Sequence, residues 1–98
     1  MKYYHATHKK NLGSILIEGI KPGIDGCVYL CTTPVDAVKF LVVKAIKEIV
    51  VFEVDLDKKD ILESFDHSEA FFKCKAYLTL NHIDSNSITN VYDYSINN

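Results

Sequence analysis

The order of apolar and polar positions along the chain predicts five strands and two helices. Continuous or alternating apolar runs rich in β-branched and aromatic residues indicate strands, whereas apolar positions three and four apart indicate helices. The second helix has the clearest start, because Thr33 can cap it, Pro34 suits its first position and Asp36 lies in its first turn. The predicted strands are residues 2–5, 27–31, 48–57, 70–80 and 88–96, and the predicted helices are residues 9–18 and 33–45.

This element order, β-α-β-α-β-β-β, predicts an α+β fold with a mostly antiparallel sheet and both helices packed on it. A helical turn is expected near residues 60–64, within a polar loop. The 98 residues suit one domain, residues 1–98, and 48% hydrophobic residues are enough for one core.

Composition and charge exclude several classes of protein. A net charge of −2 gives no strong positive field, so nucleic acid is not expected as a bulk electrostatic ligand. All eleven cationic residues are lysine, so the chain cannot form the bidentate contacts that arginine makes with phosphate or carboxylate. No apolar run is long enough for a membrane span, and the first ten residues lack the apolar core of a secretory leader. We therefore expect a cytoplasmic protein.

Motif searching without reference to any family finds no strong site. The sequence contains no phosphate-binding glycine loop, no nucleophile elbow and no zinc-protease helix. Cys27, Cys31 and Cys74 are odd in number and lack metal-ligand spacing, so we expect reduced, structural thiols. The nearest group of metal-type ligands is Asp66, His67 and Glu69, which we interpret as solvent-facing loop residues, and we expect no metal.

His5 and Tyr29 are the strongest candidates for a functional site in the sequence. His5 is expected at the end of the first strand and Tyr29 in the middle of the second, with one helix between them, so both rings can line one groove. Taken alone, they indicate a hydrogen-bonded strand-end histidine and a core aromatic. In context, the segments YYHAT (residues 3–7), ILIEGIKPG (15–23) and GCVYLCTTPVDAVKF (26–40) resemble the His–Tyr branch of the ADP-ribosyltransferase superfamily.

The resemblance implies a small split sheet that binds NAD as a substrate. His5 would hold an adenine-ribose hydroxyl, the backbone of Ala6 would bind the nicotinamide amide, and Thr7 would support the turn. Tyr29 would stack on the nicotinamide ring. The family's catalytic glutamate falls best on Glu69, where it would stabilise an oxocarbenium-like ribose. Alternative positions for that role are Asp66, His67 and Asn81.

Three hypotheses for function stay open from the sequence. The first is an enzyme that transfers ADP-ribose from NAD to a protein or nucleic acid. The second is an inactive module that binds an NAD- or ADP-ribose-like ligand. The third is a small inhibitor or interaction protein of the kind that phages encode. The lack of arginine argues against the arginine-dependent toxins and the RNA 2′-phosphotransferases, and the short chain implies a minimal version of the fold.

Overall fold

A computed structural model describes residues 1–64 and 76–96, which form two helices and two three-stranded antiparallel sheets. The first sheet has the order β1-β3-β6 and the second has the order β2-β5-β4. The strands are β1 (Lys2–His8), β2 (Val28–Leu30), β3 (Ile49–Asp55), β4 (Leu62–Ser64), β5 (Ala76–Thr79) and β6 (Ile88–Asp93), and the helices are α1 (Leu12–Glu18) and α2 (Pro34–Val42). The predicted α+β class, with two helices on antiparallel sheets, is confirmed.

The central strand β3 carries the core on both of its faces. Val50, Phe52 and Val54 pack into one apolar cluster with Tyr3 and with side chains of α1 and β2. Ile49 and Val51 pack into a second cluster that includes α2 residues. A continuous apolar run is the pattern expected of a strand covered on both sides, and β3 satisfies it.

Within the described residues one backbone bridge joins the two sheets, where β1 passes the end of β2. The backbone N–H of Tyr4 donates to the carbonyl of Cys31 at 2.8 Å, and the N–H of Cys31 donates to the carbonyl of Tyr4 at 2.9 Å. Beyond this bridge β1 pairs with β3, β2 pairs with β5, and the strands diverge. The divergence creates a gap between β1 and β2.

Helix α2 covers the second cluster and has clear local reasons to start and stop. The Thr33 hydroxyl accepts a hydrogen bond from the Asp36 N–H at 3.2 Å, which caps the first turn. At the other end Ala45 has a left-handed φ of 62°, and the Ile46 N–H donates to the Leu41 carbonyl at 3.1 Å. This six-to-one bond across a left-handed residue is a Schellman-type helix end, a position that favours glycine.

Several predicted boundaries are wrong. Strand β1 continues to His8, so His5 lies in its middle rather than at its end. The helical turn expected near residues 60–64 is instead a 3-10 turn at Lys58–Asp60, followed by the extra strand β4. The first helix begins as a 3-10 turn at Lys9–Asn11. Of the predicted strand 70–80, residues 70–75 lie outside the described part of the chain.

The outer edge of β6 is protected by its own side chains. Alternation directs the N–H groups of Val91 and Ser95 away from β3. The N–H of Val91 donates to the Asn90 side-chain oxygen at 2.8 Å, and that of Ser95 donates to the Asp93 carboxylate at 2.9 Å. Side chains thus occupy donors that a further strand would need.

Neither helix within residues 1–64 and 76–96 has the length and apolar character that a membrane crossing requires.

Candidate functional site

A cavity of about 530 Å³ opens where β1 and β2 diverge. Its walls come from residues 4–6 of β1, residues 29–31 at β2, residues 37, 40 and 41 of α2, and the single residue Ala76 of β5. Asp25 lies before β2 and Lys44 lies after α2, and they add one charge of each sign to the lining. The volume lies within the range of about 300–1,000 Å³ typical of small-molecule sites.

The gap leaves part of the β1 backbone unpaired inside this cavity. In the β1–β3 ladder the odd-numbered residues exchange hydrogen bonds, as the flanking bonds Leu56 N–H to Met1 and Lys9 N–H to Glu48 show. The even-numbered residues of β1 therefore direct their N–H and C=O groups away from β3. Those of Tyr4 bond Cys31, whereas those of Ala6 have no partner in the described part of the chain. Ala6 thus presents one donor and one acceptor side by side at the cavity.

The side chain of His5 occupies the place where the ladder would otherwise continue. If β1 and β2 stayed paired, Ala6 would face Tyr29. Instead, Nδ1 of His5 lies 2.8 Å from the Tyr29 carbonyl oxygen. Because a carbonyl can only accept, Nδ1 carries the proton and donates it. The neutral ring then has Nε2 as a free acceptor.

The ionisation of His5 supports this tautomer. Its side chain is half-buried, and loss of solvent around the ring lowers the pKa of His5 below its usual value of 6.5. The hydrogen bond to Tyr29 acts in the opposite direction but is the smaller effect on this pKa. His5 is therefore neutral at pH 7 and is a hydrogen-bond acceptor at Nε2.

Tyr29 provides an exposed ring whose far end is fixed. Its side chain is 44% exposed, while its strand neighbours Val28 and Leu30 are buried. The Tyr29 hydroxyl donates to Oδ2 of Asp25 at 2.5 Å, and the Cys27 N–H donates to Oδ1 at 3.1 Å. The bond to Asp25 raises the pKa of Tyr29 to about 12, and the same bond lowers the pKa of Asp25. The phenol thus stays protonated and the carboxylate stays charged.

The two rings reach the cavity from different directions. Tyr3 belongs to the first core cluster, whereas Tyr4 and Ala6 pack against the second, so alternation assigns His5 to the face of Tyr3. Tyr29 lies on the opposite face from Val28 and Leu30. Both residues nevertheless belong to the lining of the same cavity.

Of the other residues predicted from the sequence, the two that the structure describes, Thr7 and Asn81, do not join this group. Thr7 lies outside the cavity lining, and its hydroxyl accepts a hydrogen bond from Asn11 at 3.0 Å. Asn81 also lies outside the lining, and its N–H donates to the Thr79 hydroxyl at 3.3 Å. Glu69, Asp66 and His67 fall outside the residues that the structure describes. Within the described ranges, no group of three or more His, Cys, Asp or Glu side chains could hold a metal ion.

Sequence reasoning missed Asp25, Lys44 and a buried carboxylate, Glu53. Asp25 looked like part of a turn, and only the hydrogen bond to Tyr29 distinguishes it. Glu53 lies within an apolar run on β3, and the run itself was a signal that this charge is enclosed. Its carboxylate accepts hydrogen bonds from Lys2 at 3.0 Å, Tyr4 at 3.1 Å, Thr89 at 2.7 Å and Tyr92 at 3.2 Å.

No family model matches this chain, and no match was found among curated proteins.

Proposed function

We propose that the protein binds a nucleotide of the NAD or ADP-ribose class in the cavity between β1 and β2. The observation that carries the proposal is the unpaired backbone of Ala6, one donor beside one acceptor, in the same cavity as the exposed ring of Tyr29. A primary carboxamide such as that of nicotinamide is planar and offers the complementary acceptor and donor. A flat aromatic wall and a backbone edge together suit a planar amide-bearing ring.

His5 contributes the third contact in this proposal. Its Nε2 accepts a hydrogen bond from a ligand hydroxyl, as a ribose would supply, while its Nδ1 remains bonded to the Tyr29 carbonyl. The resemblance of residues 3–54 to the ADP-ribosyltransferases assigns the same ribose contact to this histidine. The residue-level geometry and the family pattern therefore support one ligand class.

Transfer of ADP-ribose is the enzymatic form of this proposal. The bond between ribose C1′ and the nicotinamide nitrogen breaks, nicotinamide leaves with the electron pair, and an acceptor oxygen or nitrogen bonds C1′ and releases its proton. Glu69 is the carboxylate assigned to this step. Binding without turnover is the second candidate, because the one carboxylate in the described lining, Asp25, already accepts two hydrogen bonds.

Calorimetry with NAD⁺, ADP-ribose and nicotinamide tests the proposal directly. Ligand at a hundred times its Kd stabilises the fold by about 2.7 kcal/mol, which raises the Tm by roughly 10–20 °C in a domain of this size. We expect His5→Ala and Tyr29→Ala to abolish most of that shift. His8→Ala is the matched control for His5, because His8 lies three residues along the same strand, exposed and outside the lining.

The outcomes separate the hypotheses. Release of nicotinamide that Glu69→Gln abolishes supports the transferase, and binding without release supports the module. If none of the three compounds binds, the proposal is wrong and the inhibitor or interaction protein is favoured.

A further inference from the structure

The cavity carries two opposite charges that do not neutralise each other. Asp25 lies on the β2 side, bonded to the Tyr29 hydroxyl, and Lys44 lies on the α2 side, two residues beyond the helix. No ion pair within residues 1–64 and 76–96 joins them, and none involves Lys44. Lys44 is also the one cation in the described lining. The site is therefore electrically polarised from one wall to the other.

The negatively charged side of the cavity, at Asp25, is also the side that carries the aromatic ring of Tyr29. A phenol that donates a short hydrogen bond to a carboxylate shifts electron density into its ring, which strengthens the attraction of the ring face for cations. Asp25 adds its own negative charge at the same place, because its lowered pKa keeps it ionised. A positively charged planar ring is thus favoured on Tyr29 over a neutral ring of the same shape.

The positively charged side of the cavity, at Lys44, suits the phosphates of a dinucleotide. Lys44 is exposed, and lysine meets phosphate as a point charge, which is the contact left to a chain without arginine. A ligand with a cationic ring at one end and phosphates in the middle matches both walls.

Resting on the proposed function, we infer that the cavity selects the oxidised, pyridinium form of a nicotinamide nucleotide over the dihydro form, with Asp25 as the selecting charge and Lys44 as the phosphate-binding cation. The two redox forms share the amide, ribose and phosphates, so Ala6 and His5 cannot distinguish them. They differ in the ring, which is a planar aromatic cation in the oxidised form and a neutral ring with a tetrahedral C4 in the dihydro form, and Asp25 with Tyr29 responds to the charge.

Isothermal titration of the whole chain with NAD⁺ and with NADH at pH 7.5 is the test. We expect NAD⁺ to bind roughly threefold to thirtyfold more tightly, the range of a cation on an aromatic face. Asp25→Asn keeps the shape and one of the two oxygens that accept hydrogen bonds, and it should bring the NAD⁺ to NADH affinity ratio close to one. Asp60→Asn, a change at an exposed carboxylate outside the lining, should leave the ratio unchanged.

Lys44 is tested with ligands that differ in phosphate. Lys44→Gln should weaken ADP-ribose and NAD⁺ by up to about fivefold each, as expected for an exposed charge pair, and leave nicotinamide riboside unchanged. Lys47→Gln, an exposed lysine outside the lining, is the control. Equal weakening of nicotinamide riboside would overturn the phosphate role of Lys44.

Failure of this inference can be distinguished from failure of the proposed function. Equal affinity of the unmodified protein for NAD⁺ and NADH overturns the inference while the proposed function stands. Absence of binding by NAD⁺ and ADP-ribose alike overturns the proposed function itself.

Discussion

Two tyrosine–carboxylate pairs in the described part of the chain differ in how many hydrogen bonds the carboxylate accepts. Tyr4 donates to Glu53 on β3, and Tyr29 donates to Asp25 before β2. The Glu53 side chain is 9% exposed and accepts from four side chains, whereas Asp25 is exposed and accepts from two groups. The same chemical pair therefore appears once enclosed and once open to a cavity.

The difference separates a structural role from a binding role. Bonds from Thr89, Lys2, Tyr4 and Tyr92 lower the pKa of Glu53 to about 2, so their effect on this pKa outweighs that of burial. A carboxylate with every acceptor site in use has none for a ligand. Asp25 retains capacity, and its neighbour Tyr29 has an uncovered face.

The largest expected effect on stability comes from replacing the two carboxylates one at a time. Glu53→Ala leaves three hydroxyl donors and Lys2 without their common acceptor, and we expect the Tm to fall by roughly 10 °C or more. Asp25→Asn should change the Tm by less than about 3 °C, because water replaces the lost charge interaction. Thermal melts followed by circular dichroism measure both, and equal losses would contradict the assignment of different roles.

Acid should lower the stability of the fold in two separate pH ranges, one set by His5 and the other by Glu53. His5 has a lowered pKa in the folded state, so the unfolded chain takes up its proton first, and stability falls as the pH drops below about 6.5. Glu53 also has a lowered pKa, and its contribution is complete above about 4.5 and is lost as the pH falls towards 2.

Melts between pH 7.5 and 3 check this order. His5→Gln should flatten the curve just below pH 6.5 and leave the steeper loss at lower pH. A curve for His5→Gln that keeps the upper slope would show that another group titrates there.

Removing the hydroxyl of Tyr4 or of Tyr29 should have a smaller effect on the free energy of unfolding. Tyr4→Phe keeps the ring but removes one hydrogen bond to Glu53, and we expect a loss of about 0.5–1.5 kcal/mol in the free energy of unfolding. Tyr29→Phe removes a bond to an exposed carboxylate and should cost less. Urea unfolding curves compare the two variants, and a larger loss for Tyr29→Phe would reverse our interpretation.

The smallest expected effect is an increase in stability, at the end of α2. Ala45 has a left-handed φ of 62° at the end of α2, a conformation that costs a residue with a Cβ about 1 kcal/mol. We expect Ala45→Gly to raise the Tm by a few degrees without touching either carboxylate. The same substitution in the Glu53→Ala background tests additivity, and a gain that disappears there would link the helix end to the Glu53 cluster.

The sequence predicts the elements better than the site. Helix α2 and strand β3 follow from local signals, a threonine cap with proline and a continuous apolar run. Strand β4 was missed because three residues paired with β5 leave no local pattern. The unpaired backbone of Ala6 depends on where two strands diverge, and the Glu53 cluster joins residues from three strands. Neither arrangement is encoded in the spacing of residues along the chain.

Side chains bond backbone donors along the outer edge of β6, and this affects how the protein behaves at high concentration. Copies of a chain with a bare edge can add to one another strand by strand and grow into fibrils. Here Asn90 and Asp93 already bond two of the donors that such growth would recruit, those of Val91 and Ser95, and Asp93 also carries an ion pair with Lys9 at 2.8 Å. The edge of the larger sheet is therefore a poor seed for assembly.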